Sequence, residues 1–508
     1  MTASDARIGQ AKLSNNTEDA AASDALVLPP NLDIYLPEKL LRPIREPRFN
    51  RRAWLSALNH LRSLRYLLST YVPSHLAQAK LLHPTVGQPS GEWLDGSLLF
   101  SDVSGFTALS ERLAHQGQEG AEQLTHAINT YFERMLDILA WSGGILLKFA
   151  GDAVLVYFPA DKDSTQTHWA VRAGQRMMRA MGEFAAIPTT LGAVALKMKI
   201  GVSTGLFAGL SIGSAKRMEY VLLGNPVTRV MGAEGAATAG QIVVDSATFG
   251  QLAPTVFADL GNGFYAVEEE PGETLDDFEI RAETGRARRA EGSAFTHAEM
   301  AADLQRLVDQ IAALTPYLPR PLVERIIDAS EQRRIESEYR LTTVLFTNVT
   351  GFESLLPETP TGDSASLDHV TRLMSDYFNA LHGIVTRYDG VITRIDPYRK
   401  GSKVLILFGA PVAHEDDPER GTRTALEMMA ELEALNARWQ HSEPLIQQRV
   451  GITHGLTFAG QAGAATRREY TVMGDDVNLA ARLMSAGAPG QILLAPSVYA
   501  KVASRFAI

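Results

Sequence analysis

At 508 residues the chain is longer than one ordinary domain and fits about two to four. Its 45% apolar and 21% charged residues are ordinary globular proportions, and 58 acidic against 48 basic residues give a net charge of −10, which argues against a dedicated nucleic-acid or anionic-membrane surface. There is no cysteine, so disulfides, thiol catalysis and cysteine-ligated zinc or iron–sulfur centres are excluded.

From the N-terminus, residues 1–30 are rich in Ala, Ser, Asn and Asp and read as disordered. Residues 31–90 read as an entry segment packed on a first domain, 91–285. In that domain Leu98–Asp102 is a short apolar run closing in a glycine turn, a strand signal. Gly120 to Trp141 places Leu124, Ile128, Phe132, Met135 and Leu139 on one helical face. Ile145–Lys148 and Ala153–Phe158 flank a Gly-Asp pair and predict a hairpin. His168–Phe184 predicts a helix and Lys197–Gly205 a strand. A linker with a helix is expected at 286–335: an acidic run, Glu268–Glu279, gives way to the basic Arg286–Ala290. Thr296 and Glu299 then form a capping box before Met300, Leu304, Leu307, Ile311 and Leu314. A second domain, 336–508, follows. No apolar run reaches the roughly 18 residues of a membrane span, and the N-terminus lacks the order of a secretion signal. A cytoplasmic protein without a membrane span or nucleic-acid partner is the expectation.

The second domain repeats the first. Tyr71-Val-Pro returns as Tyr317-Leu-Pro, LLFSDVSGF from Leu98 as VLFTNVTGF from Val344, and Gly143-Gly144-Ile145 as Asp389-Gly390-Val391. KIGVSTGLFAG from Lys199 returns as RVGITHGLTFAG from Arg449, one residue longer. MEYVLLG from Met218 returns as REYTVMG from Arg468, and AGQIVVDS from Ala239 as PGQILLAP from Pro489. The offset is 246 residues early and 250 late, so one unit is written twice. Each unit mixes strands and helices, which predicts an α+β fold with helices on one face of a sheet.

Asp102 and Asp152 each sit in a glycine-containing turn at the end of an apolar strand, where a lone buried carboxylate is costly. On adjacent strands they converge to hold hard divalent cations, Mg²⁺ above all, which uses one or two carboxylates together with substrate phosphates. The turn Ser104-Gly105-Phe106-Thr107 then offers backbone N–H groups to a polyphosphate. Two solvated turn aspartates are the plainer alternative, and motifs this short do not separate the two. The second copy breaks the symmetry: Asn348 replaces Asp102, no acid stands at the place of Asp152, and the stretch IDPYRKGSK there is inserted or rewritten. In exchange it carries Asn478 and Arg482, four apart on one helical face, where the first copy has Thr228 and Gly232. Drift after duplication has no reason to remove complementary halves; a composite site explains the pattern. His115, His126 and His454 fall on no metal spacing and read as surface or strand histidines. The methionines between Met177 and Met181 read as helix core.

These residues resemble the class III nucleotidyl cyclases, most of all the tandem, bicarbonate-responsive type of adenylyl cyclase. FSDVSGFT, LKFAGDA, KIGVSTG and EYTVMGDDVNLAARL occur in family order. The resemblance implies two ferredoxin-like catalytic domains paired as a pseudo-twofold intramolecular heterodimer. It also implies conversion of ATP to 3′,5′-cyclic AMP and pyrophosphate with two Mg²⁺ (or Mn²⁺). Carried over residue by residue, Asp102 and Asp152 match the metal-binding aspartates and Val103 the position whose carbonyl joins a metal. Ser104, Gly105, Phe106 and Thr107 match the triphosphate turn, and Lys199 a lysine at the terminal phosphates. Asn478 and Arg482 match the ribose and transition-state pair. Thr471, with Val472 beside it, matches the residue that selects adenine.

The chain departs from the family at two places. Arg394 stands where the family has the base-reading lysine, and Lys400 in the rewritten hairpin is a second candidate for that contact. The Glu and Cys pair of guanylyl cyclases is absent, which favours ATP. In bicarbonate-sensitive members a lysine and an arginine hold the anion. Lys148 matches the lysine and Leu222 an apolar backbone position, but Met231 replaces the arginine, leaving Arg229 as the nearest substitute in a candidate regulatory anion site. A monomer with intramolecular domain pairing is expected. The alternatives carried beside the adenylyl cyclase are a nucleotide-sensing pseudo-cyclase without turnover and a guanylyl cyclase.

Overall fold

The computed structural model describes residues 28–189, 192–252, 256–268, 297–328, 337–357, 362–410, 412–439 and 446–506. The expected disorder of 1–27, the charge runs of the linker and Thr296 lie outside the described residues. The chain divides into two compact units, residues 1–61 with 291–308, and residues 62–290 with 309–508. The first holds helices Leu32–Tyr35 and Glu38–Arg45, the start of helix Arg51–Ser69 and the start of helix His297–Leu314. Leu41, Ile44, Trp54, Leu58, Met300 and Leu304 are buried. The Trp54 and His297 rings meet edge to face at 4.7 Å.

The second unit contains both copies. The first copy supplies β1 (Ser90–Ser104), β2 (Ile145–Ala150), β3 (Ala153–Pro159), β4 (Lys197–Ser214), β5 (Arg217–Leu223), β6 (Ile242–Asp245), β7 (Val256–Gly261) and β8 (Phe264–Glu268). The second supplies β9 (Glu338–Thr350), β10 (Val391–Pro397), β11 (Ser402–Phe408), β12 (Gln447–Gly463), β13 (Arg468–Met473) and β14 (Ile492–Leu494). Among the described residues the first sheet runs β2-β3-β1-β4-β6-β8-β7 with β5 beside β4, and the second β10-β11-β9-β12-β13 with β14 beside β12. The β4–β6 and β12–β14 pairs are parallel and the others antiparallel. The two sheets repeat one topology, and the α+β expectation holds.

The predicted elements appear with longer strands. The amphipathic pattern forms helix Gly117–Trp141, with Leu124, Ile128, Phe132, Met135 and Leu139 all buried, and its counterpart in the second copy is Ser364–Arg387. The second predicted helix is Gln166–Ala180, followed by a 3₁₀ turn at Met181–Phe184. Met177 and Met181 are buried in the first core.

Strand length does the pairing. β4 and β12 run 18 and 17 residues, well past the core of their own sheets. The far half of β4 and its partner β5 put Ala208, Leu210, Ile212, Val221 and Leu223 into the core of the second copy. In return Phe458, Ala462 and Met473 enter the core of the first. Each copy completes the other's core by burial of apolar area, the dominant favourable term in association.

Register fixes where the copies differ. Asp102 pairs with Lys199 and Asn348 with Arg449; Ala208 pairs with Leu223 and Phe458 with Met473. The offset is therefore a constant 250 along β4 and β12: Phe458 stands in the register of Ala208, so the longer second motif carries no insertion. The change from 246 to 250 falls in the β10–β11 hairpin. Lys148 pairs with Leu155 and Arg394 with Leu405, so the second copy has four more residues between equivalent partners. Asp396 and Lys403, a pair in the lengthened hairpin, stand in the register of Ala150 and Ala153.

Candidate active site

The acidic pair is assembled by strand order. β3 lies beside β1 with Ser101 opposite Val154, which raises the Gly151–Asp152 turn next to Asp102. Gly151 has φ +80°, a conformation that makes the tight turn possible without steric cost. Burial, and after it the Asp102 carboxylate, pushes the Asp152 carboxyl up to about 7. Lys403 and Arg394, both from the second copy, draw it back down. The two carboxylates of one copy and two cations of the other thus share one electrostatic neighbourhood. Lys199 Nζ stands 3.8 Å from Asp102 Oδ2 and also pairs with Glu234. Among the described residues no cluster of three or more His, Asp or Glu side chains is arranged to hold a metal ion. Two carboxylates alone suit Mg²⁺, which keeps several waters and takes its remaining ligands from phosphates.

The turn after β1 is built for backbone contact. Gly105 has φ +121°, and a Cβ there would lie 2.7 Å from the Ala195 carbonyl oxygen. Phe106 is buried edge to face on Tyr131 at 5.4 Å, so its side chain is an anchor. No side-chain cap satisfies the N–H groups that open helix Phe106–Ala114. Ser104 is exposed, and the Val103 side chain is buried in the first core.

From the second copy, helix Asp475–Ala486 carries Asn478 and Arg482 one turn apart. Asn478 Nδ2 donates to Thr107 Oγ1 at 2.9 Å, a direct bond between the copies at the end of the Ser104–Thr107 turn. Arg482 is 67% exposed, with Nη2 3.3 Å from Asp475 Oδ1 on its own helix. Thr471 Oγ1 accepts from Arg394 Nη1 at 2.9 Å, and Val472 beside it is buried. Arg394 also donates to Asp396 Oδ2 at 2.8 Å and Glu469 Oε1 at 3.1 Å. Lys400 does not join this group. The lengthened hairpin carries it into a separate pocket of about 470 Å³ with Asn348, Arg399 and Arg449.

That pocket is the pseudo-symmetric groove, and it is stitched shut where the acids would be. Asn348 Nδ2 donates to the carbonyls of Lys400 (2.8 Å) and Ser402 (3.2 Å), and its Oδ1 accepts from Arg449 Nε at 3.1 Å. The candidate anion residues do not assemble either. Lys148 is buried against Glu219 at 2.6 Å. Arg229 donates to the Gly263 carbonyl at 2.7 Å and lies over Phe264, and the two residues line different cavities. Leu222 is buried on β5.

Sequence reading missed the buried charges between the copies. A cavity of about 80 Å³ is lined by matched residues of both: Lys148 and Arg394, Glu219 and Glu469, Tyr71 and Tyr317. Tyr71 Oη donates to Gln461 at 3.1 Å and Tyr317 Oη to Ser211 at 3.0 Å, each reaching into the opposite copy. Burial pushes Glu469 up to about 6 against the pull of Arg394. The signal was present: a Glu-Tyr pair inside an apolar strand occurs in both copies of the repeat.

The catalytic-domain model of the adenylate and guanylate cyclase family matches residues 93–274 and 335–507. Adenylate cyclase type 10 of Oryctolagus cuniculus is 25% identical over 413 residues, 78% of this chain and 24% of that protein. The Homo sapiens protein of the same name is 25% identical over 418 residues, 79% of this chain and again 24% of its own length. The chain therefore spans about a quarter of the length of the curated relatives it matches. A class III adenylyl cyclase-like ATP-binding protein from Pseudomonas aeruginosa has the same fold across both copies, with a TM-score of 0.56 at 15% identity over 89% of this chain and 93% of that one. Two matched segments, two sheets of one topology and one fold shared along nearly the whole length lead to one conclusion: the chain belongs to the adenylate and guanylate cyclase catalytic domain family, of which it carries two copies in tandem.

Proposed function

We propose that the chain is an adenylyl cyclase converting ATP to 3′,5′-cyclic AMP and pyrophosphate at one composite site between its two copies. The observation that carries this reading is the 2.9 Å bond from Asn478 to Thr107. It brings the ribose-orienting helix of one copy to the phosphate turn of the other. Two divalent cations on Asp102, Asp152 and the Val103 carbonyl would supply charge neutralisation at the attacking oxygen and the leaving phosphates. The protein's own groups do the rest. Asn478 holds the ribose so that its 3′-oxygen lies in line with the α-phosphorus. Arg482, free to swing from Asp475, places fixed positive charge on the α-phosphoryl oxygens. Lys199 and the N–H groups of the Ser104–Thr107 turn receive the pyrophosphate. Thr471 and Arg394 border the base. The second groove, where Asn348 replaces the first acid and bonds two carbonyls, lacks the paired aspartates and is read as regulatory; bicarbonate is the small activator to test first. A cytoplasmic monomer is part of the same reading.

A second reading, an ATP-binding module without turnover, is favoured by Arg394, which spends three bonds inside its own copy. Product formation from ATP and from GTP, with Mg²⁺ or Mn²⁺ and with or without bicarbonate, separates the readings. Cyclic AMP from ATP in large excess over cyclic GMP from GTP is the expected result. Nucleotide binding with no cyclic product would reject the cyclase in favour of the sensor.

A further inference from the structure

We propose that the second groove is a metal-free site for a compact polyphosphate, either free pyrophosphate or the phosphate chain of a nucleotide, held by Arg399, Lys400 and Arg449. The inference gives a ligand to the groove read above as regulatory and rests on that reading of the groove, not on turnover in the first.

Matched positions of the two copies carry opposite charge. The first groove has Asp102, the Gly151–Asp152 turn between Ala150 and Ala153, and Lys199 opposite Asp102. In the second, Asn348 stands for Asp102 and Arg449, opposite it, for Lys199. The turn between Pro397 and Ser402 is Tyr398-Arg399-Lys400-Gly401. Two carboxylates and one cation are thus exchanged for three cations. A polyphosphate in the first groove needs divalent metal ions to offset the acids; in the second the positive charge belongs to the protein. Guanidinium groups suit the task, because their forked N–H donors match phosphate oxygens.

The cations are held in place and still have donors to offer. Asn348 fixes two of them: its Nδ2 donates to the Lys400 carbonyl and its Oδ1 accepts from Arg449 Nε. Arg449 Nη1 donates to the carbonyls of Ser485 and Gly487, and Nη2 has no acceptor among the described residues. The Arg399 guanidinium lies against Gly235 at the end of the first copy's helix Asn225–Ala236, where a Cβ would meet its Nη2 at 3.0 Å. Arg399 and Lys400 are exposed, and among the described residues neither side chain has an ion pair or a hydrogen bond. Burial raises the carboxyl of Glu234, and Lys199, its ion-pair partner, draws it down ahead of Arg399.

The pocket selects the class of ligand. Its volume of about 470 Å³ is that of a small-molecule site. Thr228 of the first copy lines it together with the three cations, and apart from Pro489 no apolar side chain does so among the described residues. It has no wall for a purine. A second observation points to an anion. The turn Thr350-Gly351-Phe352-Glu353 repeats Ser104-Gly105-Phe106-Thr107, and its Gly351 N–H donates to Glu353 Oε2 at 3.2 Å. A carboxylate of the protein thus stands at the turn whose counterpart is proposed to receive pyrophosphate. Burial holds that carboxyl above its ordinary value, and as the one acid lining the pocket it opposes an incoming anion.

The test is binding of pyrophosphate, ATP, inorganic phosphate and bicarbonate to the full chain in EDTA, read by isothermal titration calorimetry. Without metal the Asp102–Asp152 pair repels polyphosphate, so the first groove stays out of the measurement. Pyrophosphate and ATP are expected to bind one site with similar affinity, and inorganic phosphate at least about tenfold more weakly, as loss of one charged hydrogen bond implies. Arg399→Gln combined with Lys400→Gln, two exposed changes checked by thermal melts, should weaken pyrophosphate by about tenfold or more. Lys199→Ala should leave that affinity unchanged, and Glu353→Gln should tighten it. No binding in EDTA overturns the inference, as does binding lost in Lys199→Ala and kept in the double variant. Bicarbonate binding as tightly as pyrophosphate overturns it too, and so does ATP binding about a hundredfold more tightly than pyrophosphate, which requires a base contact this pocket lacks. Pyrophosphate bound with no change in cyclic AMP formation would fail the regulatory reading and leave the site standing.

Discussion

Asn348 shows how one substitution changes a residue's function and keeps its place. In the register of Asp102 it turns a carboxylate that repels its neighbours into an amide whose N–H groups satisfy two backbone carbonyls. Asn348→Asp would replace Nδ2 by an oxygen facing the Lys400 and Ser402 carbonyls in a buried site, with Arg449 on the other oxygen as partial compensation. We expect a loss of about 2 kcal/mol of stability in urea denaturation and no new cyclase activity. A stability equal to that of the unaltered protein would show that the site relaxes or admits a cation. The complementary losses at Asp102/Asn348 and Gly232/Arg482 were legible from the repeat alone, because identity at a position survives without knowledge of contacts. The lengthened hairpin was not: which face each of its residues occupies depends on register, and a shift of one residue reverses that face.

Between elements, the notable feature is charge buried where strands of opposite copies meet. Lys148 on β2 reaches Glu219 on β5, and Arg217 on the same strand reaches Glu219 at 3.2 Å. β10 of the second copy packs against β5, with Arg394 and Glu469 repeating the arrangement. Such pairs add little net stability, yet removing one partner strands the other. Lys148→Met should therefore lower stability by about 3 kcal/mol, read from the midpoint of chemical denaturation. A near-zero change would mean that Arg217 alone satisfies Glu219. Strands and helices were largely predictable from periodicity, but their ends were not. β4 continues to Ser214 because its outer half is buried by the other copy, and no local pattern encodes a partner more than a hundred residues away. Lys148 and Arg229 lie apart for the same reason: each has an acceptor of its own, Glu219 and the Gly263 carbonyl.

Beyond single elements, exchange of the β4–β5 and β12–β13 arms makes the two copies one compact unit. Duplication supplied two equivalent grooves; substitution left the acids in one copy and the Asn478–Arg482 helix in the other. On the proposed reading, neither copy alone holds a complete set of groups for the reaction. The most direct test is cyclic AMP formation by Asp102→Ala and by Arg482→Ala, each verified as folded, together with the double variant. Each single change should reduce the rate by at least about a hundredfold, as loss of a group acting on the transition state does, and the double should fall little further. Near-normal turnover by either single variant would contradict a site shared between the copies.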